Sequence, residues 1–396
     1  MQVKQIYELV NDATKEALGQ ESSLLLEDLS NIVDVGTAIA NATAYDNYVK
    51  ALVNRIGRTI FVTRKYKGTI PNVIFDGWEY GSIMQKIAGA LPEAQENETW
   101  DLQDGASYDP NVFKKPSVNV KFFNKRWTFE VQLSVTDEQV KESFLSKEQL
   151  NNFVEMLFND VDKAIEVKVD SLVMRTINGA IAETVYDSYV SGGVLADLGG
   201  GTHVKARNLL YEYNQANSTS YTAKEFLSNP ACIRFASIEI MKVAERMKKM
   251  STLFNVGKTA KFTPRDALRI VMHSDFDSEA KGYLYSQTFH EEYVKLPEAD
   301  TVPYWQGTGD DYDLDETASI KVKLPSDNTK SIEVKGIICT MFDRDALGVV
   351  NYKRYTTSNY NGKAEFTNFW HKLFAGQFID LNENIVVFFL QEEAGE

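Results

Sequence analysis

The residues that could carry chemistry in this chain are few, and their spacing does not suit the reactions they suggest. Val256-Gly257-Lys258-Thr259 has the ending of a phosphate-binding loop. That loop needs a glycine at position 252, where Thr252 stands, and without it the backbone cannot close into an anion cradle. Asp311, Asp313 and Asp315 resemble the start of a calcium loop, but Glu316 replaces the turn glycine and Val322 falls on the bidentate position. A solvated acidic loop over Asp310 to Glu316 is the better reading. His203, His273, His290 and His371 are scattered without ligand spacing, and His290-Glu291-Glu292 lacks the second histidine of a helical zinc site. No serine sits in a Gly-x-Ser-x-Gly elbow. Cys232 and Cys339 read as small buried apolar residues. The expectation is therefore no catalytic residue, no metal and no cofactor.

A formal net charge of −14 argues against a protein whose main work is gripping phosphate backbones. Lys242, Arg246, Lys248 and Lys249 share one helical stretch, and a solvated face explains them better than a nucleic-acid contact. The 22 Phe, 19 Tyr and 5 Trp fit either an aromatic-rich β core or surfaces that meet partners. The start, MQVKQIYELVNDATKEALGQ, has no positive, continuously apolar leader, and no stretch approaches the ~20 apolar residues of a membrane span. These features describe a soluble protein made in the cytoplasm, without a membrane partner.

The elements that must position whatever function exists are clearer. Val3, Ile6, Tyr7, Val10, Ala13, Ala17 and Leu18 recur at helical spacing up to Gly19. With the small, weakly patterned residues that follow, they form an arm too short to hold its own core. Asp46 opens a short helix ending at Gly57, and β-rich residues begin at Ile60. From Pro92 to Pro110 the chain is acidic with no basic residue, then returns through Val118, Val120 and Phe122. Trp127, Phe129, Val131 and Leu133 alternate with polar residues as a half-buried strand does. Ile60 to Leu133 thus reads as a long two-stranded ribbon with an acidic tip, which must rest on another surface because an isolated ribbon is marginal in water.

Ser146 and Gln149 form a capping-box pair before an apolar stripe from Leu150 to Ile181. The spacing predicts a helix from Lys147 to about Thr184, with Gly179 bending or ending it. Beyond the glycines at 192, 193 and 199–201 a helix is expected around Ser237 to Met250, with strands at Arg269 to Met272 and Ile332 to Phe342. Ile385 to Leu390 reads as a strand buried on both faces. The order of ribbon, long helix and mixed remainder is that of an α+β architecture.

This order resembles the major capsid proteins of tailed bacteriophages with the Hong Kong 97-like fold. The segment Asp46-Asn47-Tyr48-Val49-Lys50-Ala51-Leu52-Val53-Asn54-Arg55-Ile56-Gly57 is similar to the helix before the extended loop in short-tailed phages, and Phe342-Asp343-Arg344-Asp345-Ala346-Leu347-Gly348 to the ending common in these shells. The resemblance implies an N-terminal arm at 1–45, a pre-loop helix at 46–59 and an extended β loop at 60–134. It further implies a peripheral domain with the spine helix at 135–204, an axial domain at 205–331 and closing strands, mainly of the peripheral domain, at 332–396. The implied function is a structural subunit that self-assembles, as hexamers and pentamers, into the icosahedral head of a virion. A separate scaffolding protein and a portal would be its partners, with genomic DNA enclosed and not bound by sequence. An encapsulin-type nanocompartment shell, or an α+β enzyme with an unrecognised site, is the rival reading. Ile6, Tyr7, Val10, Trp78, Trp100, Trp127 and Phe129 are the expected assembly-interface residues, since arm and ribbon leave apolar surface uncovered on a monomer.

Overall fold

The computed structural model describes residues 11–15, 51, 70–76, 84–89, 102–107, 118–123, 125–139, 147–287, 299–306, 314–315 and 318–393. Of the expected arm helix, 11–15 are helical with Ala13 and Thr14 buried, and Ala51 of the pre-loop helix is helical and buried. The rest of both helices, the β-rich start of the ribbon, Ser146 of the capping box and His290 lie outside the described residues.

In chain order, strands β1 (Ile74–Asp76), β2 (Met84–Gly89), β3 (Val118–Phe123) and β4 (Arg126–Thr136) precede helix α1 (Lys147–Tyr189). A small hairpin of β5 (Val190–Ser191) and β6 (Val194–Leu195) follows. Then come β7 (Ala206–Asn208) and helices α2 (Leu209–Asn217), α3 (Ala223–Ser228) and α4 (Pro230–Arg246). Strand β8 (Leu268–His273) leads into α5 (Ser274–Gln287). The short strands β9 (Asp300–Val302), β10 (Trp305–Gln306), β11 (Leu314–Asp315), β12 (Ile320–Lys323) and β13 (Ser331–Val334) come next. The chain closes through β14 (Ile337–Asp343), β15 (Leu347–Asn361), β16 (Phe366–Ile379) and β17 (Ile385–Phe389).

Two sheets organise the described residues. The first is ordered β1-β15-β16-β4, and the second β7-β17-β14-β8-β9. Alternation of side chains along the central strands divides the second sheet's two faces between two cores. Ile385, Val387 and Phe389 face the core built on α1, whereas Val386, Phe388 and Leu390 face the core under α2 to α5. This is the physical content of an uninterrupted apolar strand: both faces are covered, so neither alternate position can be polar. Helices α2 to α4 are delimited by local chemistry. Asn208 caps α2, Thr222 and Glu225 form a capping box on α3, and Asn229 caps α4 with Pro230 at its first turn.

Helix α1 has 43 residues, a length of about 65 Å. Its first part shows a stripe, Val161, Ile165 and Val169, against Phe129, Val131, Leu133 and Leu373 of the first sheet. Its second part is buried nearly all round, so an amphipathic pattern is lost there. Thr176, Asn178, Glu183 and Thr184 are buried with it and find partners: Thr176 Oγ1 donates to Leu172 O (2.7 Å), Thr184 Oγ1 to Ala180 O (2.8 Å), Asn178 Nδ2 to Gln306 O (2.5 Å), and Glu183 accepts from Ser326 N (2.5 Å).

Three expectations need correction. Gly179 does not end α1; it is where the Pro325 ring presses on the helix, and a Cβ there would stand 2.8 Å from Pro325 Cγ and 3.1 Å from Ile379 Cδ1. Gly179→Ala is accordingly expected to lower the unfolding free energy of the unassembled subunit by about 1–2 kcal/mol in a denaturant titration, although alanine is the better helix former by about 1 kcal/mol. The strand expected over Ile332 to Phe342 is two strands, because Gly336 turns at φ +64° against the Leu390 carbonyl. The helix expected from Ser237 to Met250 is displaced to Pro230–Arg246, its start set by the Asn229 cap and its end by Thr263 N donating to Met247 O.

Candidate assembly surfaces

The residues that hinted at chemistry are consumed by the fold. Asn255 Oδ1 accepts from Thr259 N and its Nδ2 donates to Thr259 O, each at 2.8 Å, while Gly257 N donates to Leu381 O at 2.9 Å. The amides of Gly257 and Thr259 are thereby committed to the fold. Asp315 lies in β11, paired with Trp305 in β10, and Val322 lies in β12, so the supposed cation loop is interrupted by strands; Asp311 and Asp313 fall outside the described residues. Among the described residues no three His, Cys, Asp or Glu side chains come together to hold a metal.

The three described histidines stand apart. His203 packs on the Tyr189 ring with centroids 4.4 Å apart, His273 Nδ1 lies 3.9 Å from Asp275, and His371 is buried against Thr356. Burial lowers the pKa of all three, that of His371 to about 4 with help from Arg354. Burial raises the thiol pKa of both Cys232 and Cys339, which disfavours the nucleophilic thiolate. Lys242 on α4 pairs with Glu239, and Lys248 just beyond the helix with Glu245, each at 2.6 Å; Glu239 is buried and also takes Arg207 at 2.8 Å.

Of the expected interface residues, Ile6, Tyr7, Val10, Trp78 and Trp100 lie outside the described residues. Trp127 and Phe129 are placed on β4, and β4 does not belong to a ribbon: it pairs antiparallel with β16 from Arg126↔Gly376 to Thr136↔Phe366 as the outer strand of the first sheet. Its alternating burial turns Trp127, Phe129, Val131 and Leu133 toward α1. The Arg175 guanidinium stands 4.4 Å from the Trp127 ring centroid, a cation–π contact within the subunit. The half-burial of these residues is therefore supplied by the chain's own spine.

The ribbon itself is β2 paired with β3, from Met84↔Phe123 to Gly89↔Val118, and the described part of its tip, 102–107, is exposed. Its strands pair with no other strand among the described residues. Val120 (43% exposed) and Phe122 (63%) lie on the face opposite Lys121 and Phe123. The sequence carried that signal, an apolar pair alternating with a lysine, but not which face would meet water. Met250, Leu253 and Phe262 form a second exposed apolar group around the Ser251–Lys261 bridge, and Val194 and Leu195 a third on the β5–β6 hairpin.

At the root of the ribbon sits a charge cluster that no sequence spacing announced. Lys86 Nζ lies 2.8 Å from Asp380 and 2.7 Å from Glu383; Lys121 Nζ lies 2.7 Å from Asp380, and Lys261 Nζ 2.7 Å from Glu383. Both carboxylates are almost fully buried, at 3% and 8% exposure. Burial opposes the charged form of Asp380, but the hydrogen bonds from Lys121 and Lys86 outweigh it and hold its pKa below the usual range.

Comparison with known proteins places this architecture. The family model described as Phi29-like phage major capsid protein matches residues 10–389. No curated protein matches the chain. Among solved structures, a chain of the capsid of Staphylococcus phage Andhra superposes with a TM-score of 0.52 at 10% identity, covering 83% of this chain and 86% of that one. A chain from a structure of the head fibre and inner core protein of native bacteriophage P68 does so with a TM-score of 0.52 at 9% identity, over 83% and 86%. At such identities the likeness is one of fold: mixed α+β, as in phage capsids. The family model, which spans nearly all of the chain, identifies it: the chain belongs to the Phi29-like phage major capsid protein family and is a structural subunit of the phage virion.

Proposed function

We propose that this subunit builds the closed icosahedral head around the phage genome in the Hong Kong 97-like manner, with no catalytic role. The reading divides the chain into arm (1–45), pre-loop helix (46–59), extended loop (60–134), peripheral domain (135–204), axial domain (205–331) and closing strands (332–396). Within the extended loop, the ribbon is β2–β3, which no other described strand extends, and β4 returns the chain to the sheet under the spine helix α1. The observation that carries the proposal is this ribbon. A two-stranded hairpin with Val120 and Phe122 exposed on one face is costly on a monomer and is covered when copies pack side by side. The exposed group Met250, Leu253 and Phe262 is a second surface that neighbouring copies would bury. Hexamers and pentamers are the closed rings that repeat such a heterologous contact. A separate scaffolding protein directs size, a portal occupies one vertex, and DNA is enclosed without sequence-specific contact, in keeping with the net charge of −14.

Coexpression with the phage's scaffolding protein, followed by negative-stain imaging and light scattering, tests the reading. Closed particles of uniform size are expected; a stable monomer or dimer under every condition would refute it. Deleting residues 1–45 is expected to leave a folded subunit whose particle yield drops at least tenfold, since the arm brings no core of its own. Normal yield from the truncated chain would remove the arm from the assembly interface.

A further inference from the structure

The β2–β3 ribbon is joined to the body of the subunit mainly through side chains. Among the described residues no strand of the body extends its two-stranded sheet. Lys86 and Lys121 are direct cross-strand partners, so both ammonium groups leave the same face of the ribbon and reach the same place. That place is the turn between β16 and β17, where Asp380 serves both lysines and Glu383 is shared between Lys86 and Lys261. Lys86 also donates to Asp345 O at 3.1 Å. A ring contact at the root joins Phe123 to Phe378, centroids 5.5 Å apart. Beside it lies a cavity of about 250 Å³, lined in part by Phe122, Phe123, Pro325, Phe378 and Leu381. Among the described residues the root is thus held by ion pairs and one ring contact beside a cavity.

We propose that Lys86 and Lys121, clasped to Asp380 and Glu383, form a releasable latch that sets the angle at which the ribbon leaves the subunit, giving the ribbon a latched and a swung-out state.

Opening is opposed chiefly by the loss of these ion pairs. The lysines are 23% and 38% exposed, so opening returns them to water at little cost. When the ribbon leaves, Glu383 keeps Lys261 and Asp380 keeps the Asn382 N–H at 3.1 Å, but Asp380 loses both lysines. The latched state is favoured by these ion pairs, which salt weakens, and by the Phe123–Phe378 contact. A ribbon that has let go keeps only its own ladder, and a lone two-stranded ladder frays. This property belongs to the free subunit and goes beyond its role in a shell.

Hydrogen–deuterium exchange on the full-length, unassembled subunit tests the latch. Raising salt from about 0.05 M to about 1 M, which shortens the Debye length to ~3 Å, is expected to speed exchange in 84–89 and 118–123 by about tenfold while β17 and the buried half of α1 stay protected. Lys121→Gln is expected to reproduce the faster exchange at low salt and to remove most of the salt response. Asp380→Asn should act in the same direction. Lys121 is partly exposed, so its variant keeps the test decisive even if Asp380→Asn fails to fold. Ribbon exchange indifferent to both salt and Lys121→Gln would overturn the proposal. So would loosening of ribbon, β17 and α1 together, since that pattern makes the cluster ordinary structural packing.

Discussion

Replacing Trp127 with alanine is expected to cost the unassembled subunit about 3 kcal/mol and to lower its melting temperature by several degrees. The indole packs on the core of α1, under the Arg175 guanidinium at 4.4 Å, and alanine would leave a void between β4 and the helix. Its Nε1 is buried without a hydrogen-bond partner among the described residues, so Trp127→Phe, which keeps the ring and drops that donor, should cost much less. Differential scanning calorimetry of the free subunit separates this from an intersubunit role. An unchanged melt combined with failed assembly would mean that the ring matters only between copies.

The second large effect comes from a charge buried between α1 and the β15–β16 hairpin. Arg354, its side chain 12% exposed, lies 3.7 Å from Asp162, and its Nη2 has no partner among the described residues. Removing the carboxylate with Asp162→Ala strands a guanidinium in a nearly dry site, and a loss of about 3 kcal/mol in denaturant unfolding is expected. His371 sits beside this pair on β16 with its Nδ1 3.0 Å from Thr356 Oγ1. Burial, and then the field of Arg354, depress its pKa from 6.5 to about 4. Between those two values the unfolded chain binds a proton that the native state refuses. Stability contributed by neutral His371 is thus complete above pH 6.5, is lost as the pH falls toward 4, and falls no further below it. The loss across the window is on the order of 3 kcal/mol. His371→Gln keeps a polar partner for Thr356 and should flatten the profile between those pH values; a profile unchanged by the substitution would show that other groups set the acid limb.

Much of this architecture was legible from residue patterns, and the failures are instructive. The spine helix was readable because its first turns carry a one-sided stripe, and β4 because Trp127, Phe129, Val131 and Leu133 alternate with polar residues over a half-covered face. The β17 run was readable because both its faces are apolar. The long β15–β16 hairpin was not, although it is the centre of the first sheet. Along β16 the buried positions Thr367, Phe369, His371, Leu373 and Ala375 alternate with Asn368, Trp370, Lys372 and Phe374, so large apolar residues occur on both faces and no period of two stands out. In β15 the run Tyr352-Lys353-Arg354-Tyr355-Thr356-Thr357 hides an inward Arg354, a choice that makes sense only once Asp162 arrives from a helix nearly two hundred positions earlier.

What the sequence determined by itself is therefore what local periodicity can encode: the existence of the spine helix, the half-buried and fully buried strands, the α+β class and, through the order of these elements, the resemblance to a capsid subunit; the acidic stretch read as a loop carries strand β11 at Leu314–Asp315. What only the tertiary structure decided is everything that depends on residues far apart meeting. It assigned β4 to the sheet and left the ribbon to β2 and β3, turned Trp127 onto its own spine, and fastened Lys86 and Lys121 to Asp380 and Glu383. Strand partners are chosen by hydrogen bonds between segments hundreds of residues apart, and a buried charge is tolerated only where its counter-charge lands, so neither leaves a mark in the spacing of neighbours along the chain.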